Sequence, residues 1–252
     1  LTYGYLGQAY AKQGRYQLAE NALRRRLGIA RSQGNLQGQI YALNNVGTIL
    51  LQRGNLAAAQ STFREALTIA RSLGDREGEG LSLSNLGLIA ASVGNYAEAI
   101  DRYEAALVRR WGGEAPLGEA NTRNHLGDAY LAVNRPQNAL VAYRAARALG
   151  RHNQDARTQF RAFRGTVRAY LALEQYGPAL KLLEQYIALI EQEENRRERL
   201  TALGLAAELY TAIGDVEKAQ IVYERAIALA SALGETDEET QLRNELVQLI
   251  YE

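Results

Sequence analysis

Few residues of this chain have the type and spacing that chemistry needs. His125 and Asp128 stand i, i+3, where an imidazole and a carboxylate on one helix face could serve as general acid and base. The pair reads first as a polar groove position. The other histidine, His152, lies on a different helix, and the sequence holds no cysteine. A thiolate nucleophile, a disulfide and a Cys-based metal site are therefore excluded, and two histidines alone make a poor transition-metal site. No Gly-Lys dipeptide forms a Walker-type phosphate loop, and neither Ser-x-x-Lys nor Gly-x-Ser-x-Gly occurs. Gly74, Gly78 and Gly80 fall where a helix would end. We expect no catalytic residue, no metal and no cofactor.

Residues suited to binding are more plentiful. Arg157, Arg161, Arg164 and Arg168 are spaced i, i+4, i+7, i+11 on one helix face, with no acidic residue between Gln159 and Leu173. Either they receive an acidic ligand or they are neutralised internally, with Glu208 and Asp128 as partners. Asn44, Asn45, Asn85 and Asn124 carry amides that donate and accept at once. Such a ladder either grips the backbone of an extended peptide or satisfies polar groups between neighbouring helices. The basic runs Arg24 to Arg26, Arg109-Arg110 and Arg196-Arg197-Arg199 lack interleaved aromatics and read as solvated helix ends. Trp111 either packs under the turn that follows it or is an exposed contact residue.

The whole chain supports the same reading. Its 252 residues are 47% hydrophobic, enough for a packed core, and only three prolines interrupt helix. The 29 basic and 28 acidic residues nearly cancel, so no global field favours nucleic acid. No apolar run approaches a membrane span and no signal-peptide pattern opens the chain, which reads as soluble and is expected in the cytoplasm. Methionine is absent even from position 1, as expected of a processed chain or a portion of a longer one.

What positions these residues is a repeat. Gly7, Gly47, Gly87 and Gly127 recur at one constant interval, and that register continues at Val167 and Ala207. In every repeat an alanine follows at a fixed offset, at Ala19, Ala59, Ala99, Ala139, Ala179 and Ala219, and one helical turn beyond it a large side chain, at Leu23, Phe63, Tyr103, Tyr143, Leu183 and Tyr223. The pattern predicts two antiparallel helices per repeat. The small residue of the first helix admits the second closely, and the large side chain fills the space beside the notch. Hairpin turns fall at Gly14-Arg15, Gly54-Asn55, Gly94-Asn95, Asn134-Arg135 and Gly214-Asp215, with Glu174-Gln175 as the departure.

Tyr3, Leu6, Gly7, Tyr10 and Ala19, and again Leu126, Gly127, Tyr130, Ala139 and Tyr143, resemble the signature of the tetratricopeptide repeat (TPR). The resemblance covers essentially the whole chain. The period is longer than the usual one by six positions, and we place the extra residues between repeats, in Arg31 to Gly38, Arg71 to Gly78 and their equivalents. Longer repeats of this kind are similar to those of spindle-orientation adaptors, kinesin light chains and bacterial peptide-sensing regulators, whose grooves hold extended peptides.

The resemblance implies an all-α, right-handed superhelical solenoid. We expect a single domain over 1–252, with repeats near 1–35, 36–75, 76–115, 116–155, 156–195 and 196–235. A helix over 236–252 would cap it, with Leu242, Leu246, Leu249 and Ile250 turned inward. Repeat five, with Val167 for Gly and Tyr186 for the second small residue, is expected to be spread or tilted. In such stacks the first helices line the concave surface. That puts Asn44, Asn45, Thr48, Asn85, Asn124, His125, Asp128, the four arginines and Glu208 in the groove. The resulting expectation is a non-enzymatic scaffold that binds an acidic segment of another protein, extended or helical; the alternative is a peptide sensor controlling an effector outside this chain.

Overall fold

The computed structural model describes residues 2–110 and 115–251. Within them lie thirteen helices and no strand: α1 (Thr2–Lys12), α2 (Tyr16–Ser32), α3 (Leu36–Gln52), α4 (Leu56–Leu73), α5 (Arg76–Ser92), α6 (Tyr96–Arg110), α7 (Pro116–Ala132), α8 (Pro136–His152), α9 (Ala156–Leu171), α10 (Tyr176–Gln192), α11 (Arg196–Ile213), α12 (Val216–Leu233) and α13 (Thr236–Tyr251). The chain divides into two compact units, Leu1–Val133 and Asn134–Glu252. Trp111 lies outside the described residues.

The helices stop where the backbone turns left-handed, and it does so at a regular interval. Gly14, Gly34, Gly54, Gly74 and Gly94, then Asn134, Gln154, Glu174 and Glu194, then Gly214 and Gly234 all have positive φ. The next residue sends its N–H back to a carbonyl of the last helical turn, as from Asp155 to Gly150 and Gln175 to Tyr170 at 2.9 Å. That same residue often caps the following helix: Asn35 accepts from the N–H of Gly38 at 2.7 Å, and Asp75 from Gly78 at 2.9 Å. Two expectations change. Outside the connection from α6 to α7, the turn between repeats is as short as the turn within one, so the extra residues of the long period lengthen helices. Glu174 does not break the pattern, because it adopts the same left-handed geometry without glycine's freedom.

Close packing follows the small-to-large register. A Cβ on Gly87 would lie 2.6 Å from Tyr103 and one on Gly7 2.6 Å from Leu23, while one on Gly47 would overlap Phe63. Phe63 and Tyr103 are consequently sealed, as are Ala59 and Ala99 beside them. In the second unit Tyr143 lies against Gly165, so this glycine faces α8 rather than an open groove. Val167 is fully buried, and Tyr186 stacks on Phe163 with ring centroids 5.4 Å apart. At the C-terminal end, Leu242, Leu246 and Leu249 of α13 pack on the core of α11 and α12. Ile250, one step of about 100° past Leu249, which takes the inward position, is exposed.

Two glycine substitutions separate helix propensity from packing. Gly28, in the middle of α2, has open space where a Cβ would go. Gly28→Ala is expected to stabilise by about 0.5–1 kcal/mol through helix propensity. Gly47→Ala should destabilise by about 1–3 kcal/mol through overpacking against Phe63. Denaturant melts followed by circular dichroism check both; equal shifts would mean that the contact is not tight.

Candidate functional site

The structure separates the proposed ladder into buried and open positions. Asn44 is 2% exposed, and its amide donates to the Ile40 carbonyl at 2.9 Å and to Ser82 Oγ at 3.0 Å. Its Oδ1 accepts from Asn85 Nδ2 at 2.9 Å. Asn124 is fully buried. Asn44 and Asn85 therefore belong to a polar seam between first helices, and none of the three amides is at a groove surface. Asn44, three residues before its close-contact glycine, and Asn85, two before its own, turn toward each other between α3 and α5, and burial demands that their amides be satisfied there. The seam continues through Ser84, Thr122 and Arg110, with Thr122 donating to Ser84 at 3.1 Å and Arg110 donating to Thr122 at 3.1 Å.

Arg110 is thus no solvated helix end. It is 5% exposed, pairs with Glu77 at 2.9 Å and passes between Gly80 and Gly118, where a Cβ on either would meet it. Burial pushes the Glu77 carboxyl up, and Arg110 only partly offsets it. Gly74, Gly78 and Gly80 have structural tasks as well: a left-handed turn, a capped N–H and room for Arg110.

Asn45 and Thr48 do face outward. With Gln8, Ala11, Lys12, Ile49 and Gln52 they line a groove of about 200 Å³ between α1 and α3, whose floor is Gly7 and Leu23. The floor is apolar and the rim carries amides, a hydroxyl and an ammonium. Thr48 spends its own proton on the Asn44 carbonyl at 2.9 Å, leaving an acceptor at the rim. His125 is half-buried and stacks on Tyr103 with centroids 5.8 Å apart, and Asp128 is exposed. This fixes the imidazole as a flat surface over the core.

In the second unit the arginine stripe divides. Arg164 donates to Glu198 at 2.6 Å, and the Tyr186 hydroxyl donates to the same carboxylate. Burial opposes the Arg164 cation, yet Glu198 holds it above its ordinary range. Burial, then Glu198, drives the Tyr186 phenol far up. Arg164 is therefore consumed internally, by a partner other than the two expected. Sequence reading missed Glu198, although Arg31 and Glu65, at the same separation along the chain, also pair, at 2.6 Å. Arg157 is exposed and Arg161 half-buried.

Arg168 and Glu208 meet in a cleft of about 470 Å³ that Arg197, Gly204, Leu205 and the α13 residues Gln241, Leu242 and Glu245 also line. Helix α13 is thus a wall of a cleft as well as a cap. Although solvent reaches Glu208, desolvation raises its carboxyl; Arg168 pulls it down and Glu245 pushes it up again. Among the described residues no group of His, Cys, Asp or Glu is placed to hold a metal ion, and no helix is long and apolar enough to cross a membrane.

Tetratricopeptide-repeat models match residues 38–110 and residues 2–37 and 202–238, together more than half of the sequence. The chain belongs to the tetratricopeptide-repeat family. No curated protein matches it. Among solved structures it is similar to BtubC (BKLC) from P. vanneervenii, at TM-score 0.75 and 17% identity, covering 85% of this chain and 91% of that one. It is also similar to a Signal Transduction ATPase with Numerous Domains (STAND) protein with a tetratricopeptide repeat sensor from Pyrococcus horikoshii. That match has TM-score 0.72 and 18% identity, and covers 95% of this chain and 38% of that one. A third is the Rap conjugation gene regulator of plasmid pLS20, in complex with the Phr* peptide. Its TM-score is 0.66 at 20% identity, with 94% of this chain and 63% of that one covered. At these identities the likeness is one of fold.

The cleft carries a pH signature. Because the Glu208 carboxyl is raised above its ordinary value on folding, ionising it weakens the fold as pH rises through the shifted value. Glu208→Gln is therefore expected to melt above the wild type at about pH 7 and to converge with it at about pH 3, below the ordinary glutamate range, where the carboxyl is neutral folded and unfolded. A variant less stable at neutral pH would show that the ionised carboxylate is held by Arg168.

Proposed function

We propose that the chain is a non-catalytic interaction module that binds a peptide segment of another protein, extended or helical, on the face built from its first helices. The observation that carries this reading is the groove between α1 and α3. An apolar floor of Gly7, Ala11, Leu23 and Ile49 under a rim of Gln8, Asn45, Thr48 and Gln52 suits apolar side chains below and a peptide backbone at the rim. The second unit offers donors of its own, on the exposed Arg157 and Arg168 of α9, to a partner's acidic groups, which makes an acidic partner the preferred one. The Rap regulator bound to its Phr* peptide is a fold relative in which a peptide is the ligand.

A second reading is favoured by the same comparison, since the Rap protein is a regulator and the repeats of the STAND protein are a sensor. In it, peptide binding changes the shape of the repeat array and so controls an effector beyond this chain. Small-angle scattering with and without a bound peptide separates the two: a scaffold keeps its radius of gyration and a sensor compacts.

The binding test begins with a random peptide display screen on the full chain and proceeds with a selected peptide. Asn45→Arg with Thr48→Arg, which fills the groove, is expected to weaken binding by roughly tenfold or more with helicity unchanged. Arg157→Glu with Arg168→Glu should weaken acidic peptides selectively. The wild-type preference for them should fall as salt rises past the point where the Debye length is about 8 Å. Affinity indifferent to both pairs of substitutions would remove the site from the first helices.

A further inference from the structure

The helix pair α8–α9 carries a charge density that the rest of the chain does not share. Between residues 134 and 173 there are eight arginines and one carboxylate, Asp155, whose side chain caps α9. Beyond the α9 stripe, Arg144, Arg147 and Arg151 stand at i, i+3, i+7 on α8, which contains no acidic residue.

Arg147 is the anomaly among them. Its register position in the other repeats holds Leu27, Leu67, Leu107, Ile187 and Ile227, an aliphatic column that Arg147 alone interrupts. The side chain is half-buried, with its guanidinium carbon 4.9 Å from the centre of the Phe163 ring. Its Nη1 is sealed from solvent without an acceptor, although the residue as a whole is partly exposed. Burial, then the like charge of Arg151, holds this cation below the ordinary guanidinium range.

The carboxylates that neutralise equivalent arginines elsewhere are missing here. Arg31 pairs with Glu65 of the next second helix, and Arg71 with Glu79 of the first helix that follows it. The same steps along the chain from Arg151 reach Gln185 and Gln159, which are neutral. In the register where the Tyr130 hydroxyl donates to Glu104, Arg144 instead donates to the Tyr170 hydroxyl, at 2.7 Å. Three cations are thus gathered at one seam: two of the carboxylates that would quench them are replaced by amides, and the third, equivalent to Glu104, is replaced by Arg144 itself.

We propose that Arg147, with Arg144 and Arg151, forms an oxyanion-binding site on the α8–α9 pair that takes a phosphoryl or carboxylate group borne by a peptide. The site stands on residues that the first-helix groove does not use. Phe163 holds the guanidinium plane of Arg147, while Arg144 and Arg151 flank it with exposed donors. An oxyanion would supply the acceptors and the negative charge that the protein itself withholds at this seam.

The test uses the full chain and two probes. Melting temperature is followed in inorganic phosphate and in chloride at matched ionic strength. Binding is measured for three labelled peptides that differ only in a central serine, phosphoserine or glutamate. Phosphate is expected to stabilise more than chloride, and the phosphoserine or glutamate peptide to bind at least roughly tenfold more tightly than the serine peptide. The stronger of the two identifies the natural group. Arg147→Leu, which restores the aliphatic column, should melt at or above the wild type and lose the discrimination among the peptides. Arg151→Gln, at an exposed position where folding is not at stake, should reduce the discrimination by roughly threefold or more. Phosphate acting like chloride with all three peptides binding equally overturns the proposal. So does discrimination that survives both substitutions, or a lower melting temperature for Arg147→Leu with Arg151→Gln unaffected, which would make Arg147 a packing residue. Because Arg157→Glu and Arg168→Glu leave this seam intact, failure here and failure of the groove reading are distinguishable.

Discussion

The contact on which everything else rests is the one between a residue with no side chain and an aromatic ring that fills the space so left. Gly47 under Phe63 and Gly87 under Tyr103 let two helices of a pair approach until the backbone of one forms the floor for the ring of the other. Interiors are close-packed, so this approach fixes the rotation of both helices and with it the face that every other residue presents. The consequence reaches the surface: Asn45 and Thr48 open onto the α1–α3 groove because Gly47, between them, is turned inward.

The same constraint explains the distribution of polar groups. Turning the glycine inward also turns the residue three before it toward the next first helix, and there Asn44 and Ser84 are buried. A buried amide must find partners, and Asn44 finds three, in Ile40, Ser82 and Asn85. Such a seam specifies the register of stacking where an apolar surface alone would permit sliding. Arg110 with Glu77, and Arg164 with Glu198 and Tyr186, extend the principle to charges, each held by an oppositely charged partner where it leaves solvent.

Against that background the functional reading depends on what is left over. Repeat proteins of this family offer the same scaffold many times, and binding specificity resides in the positions where a repeat departs from its neighbours. Two departures stand out in the second unit. The cleft of Arg168, Glu208 and Glu245 is walled by α13, a helix without a counterpart among the repeats. The seam of Arg147 puts a cation where the other repeats have Leu or Ile. In the first unit the repeats are more uniform, and the groove there is shaped by the shared pattern.

The sequence by itself determined the helix pairs, the period, the inward small-to-large contacts and the boundaries of nearly every helix, because these depend on local propensity and on a spacing that recurs. It did not determine whether an asparagine on a first helix faces a groove or a seam, since positions two and three residues before the glycine differ by a single step of about 100°, and only the placement of the next helix decides which is covered. Asn45 and Asn44 stand on opposite sides of that divide. Nor did it assign Glu198 to Arg164, because a pair so far apart along the chain is made by the stacking distance between helices and not by any motif. The left-handed turns at Gln154, Glu174 and Glu194 were hidden for a related reason: no glycine marks them, and the packed helices on either side impose the geometry that the residue itself disfavours.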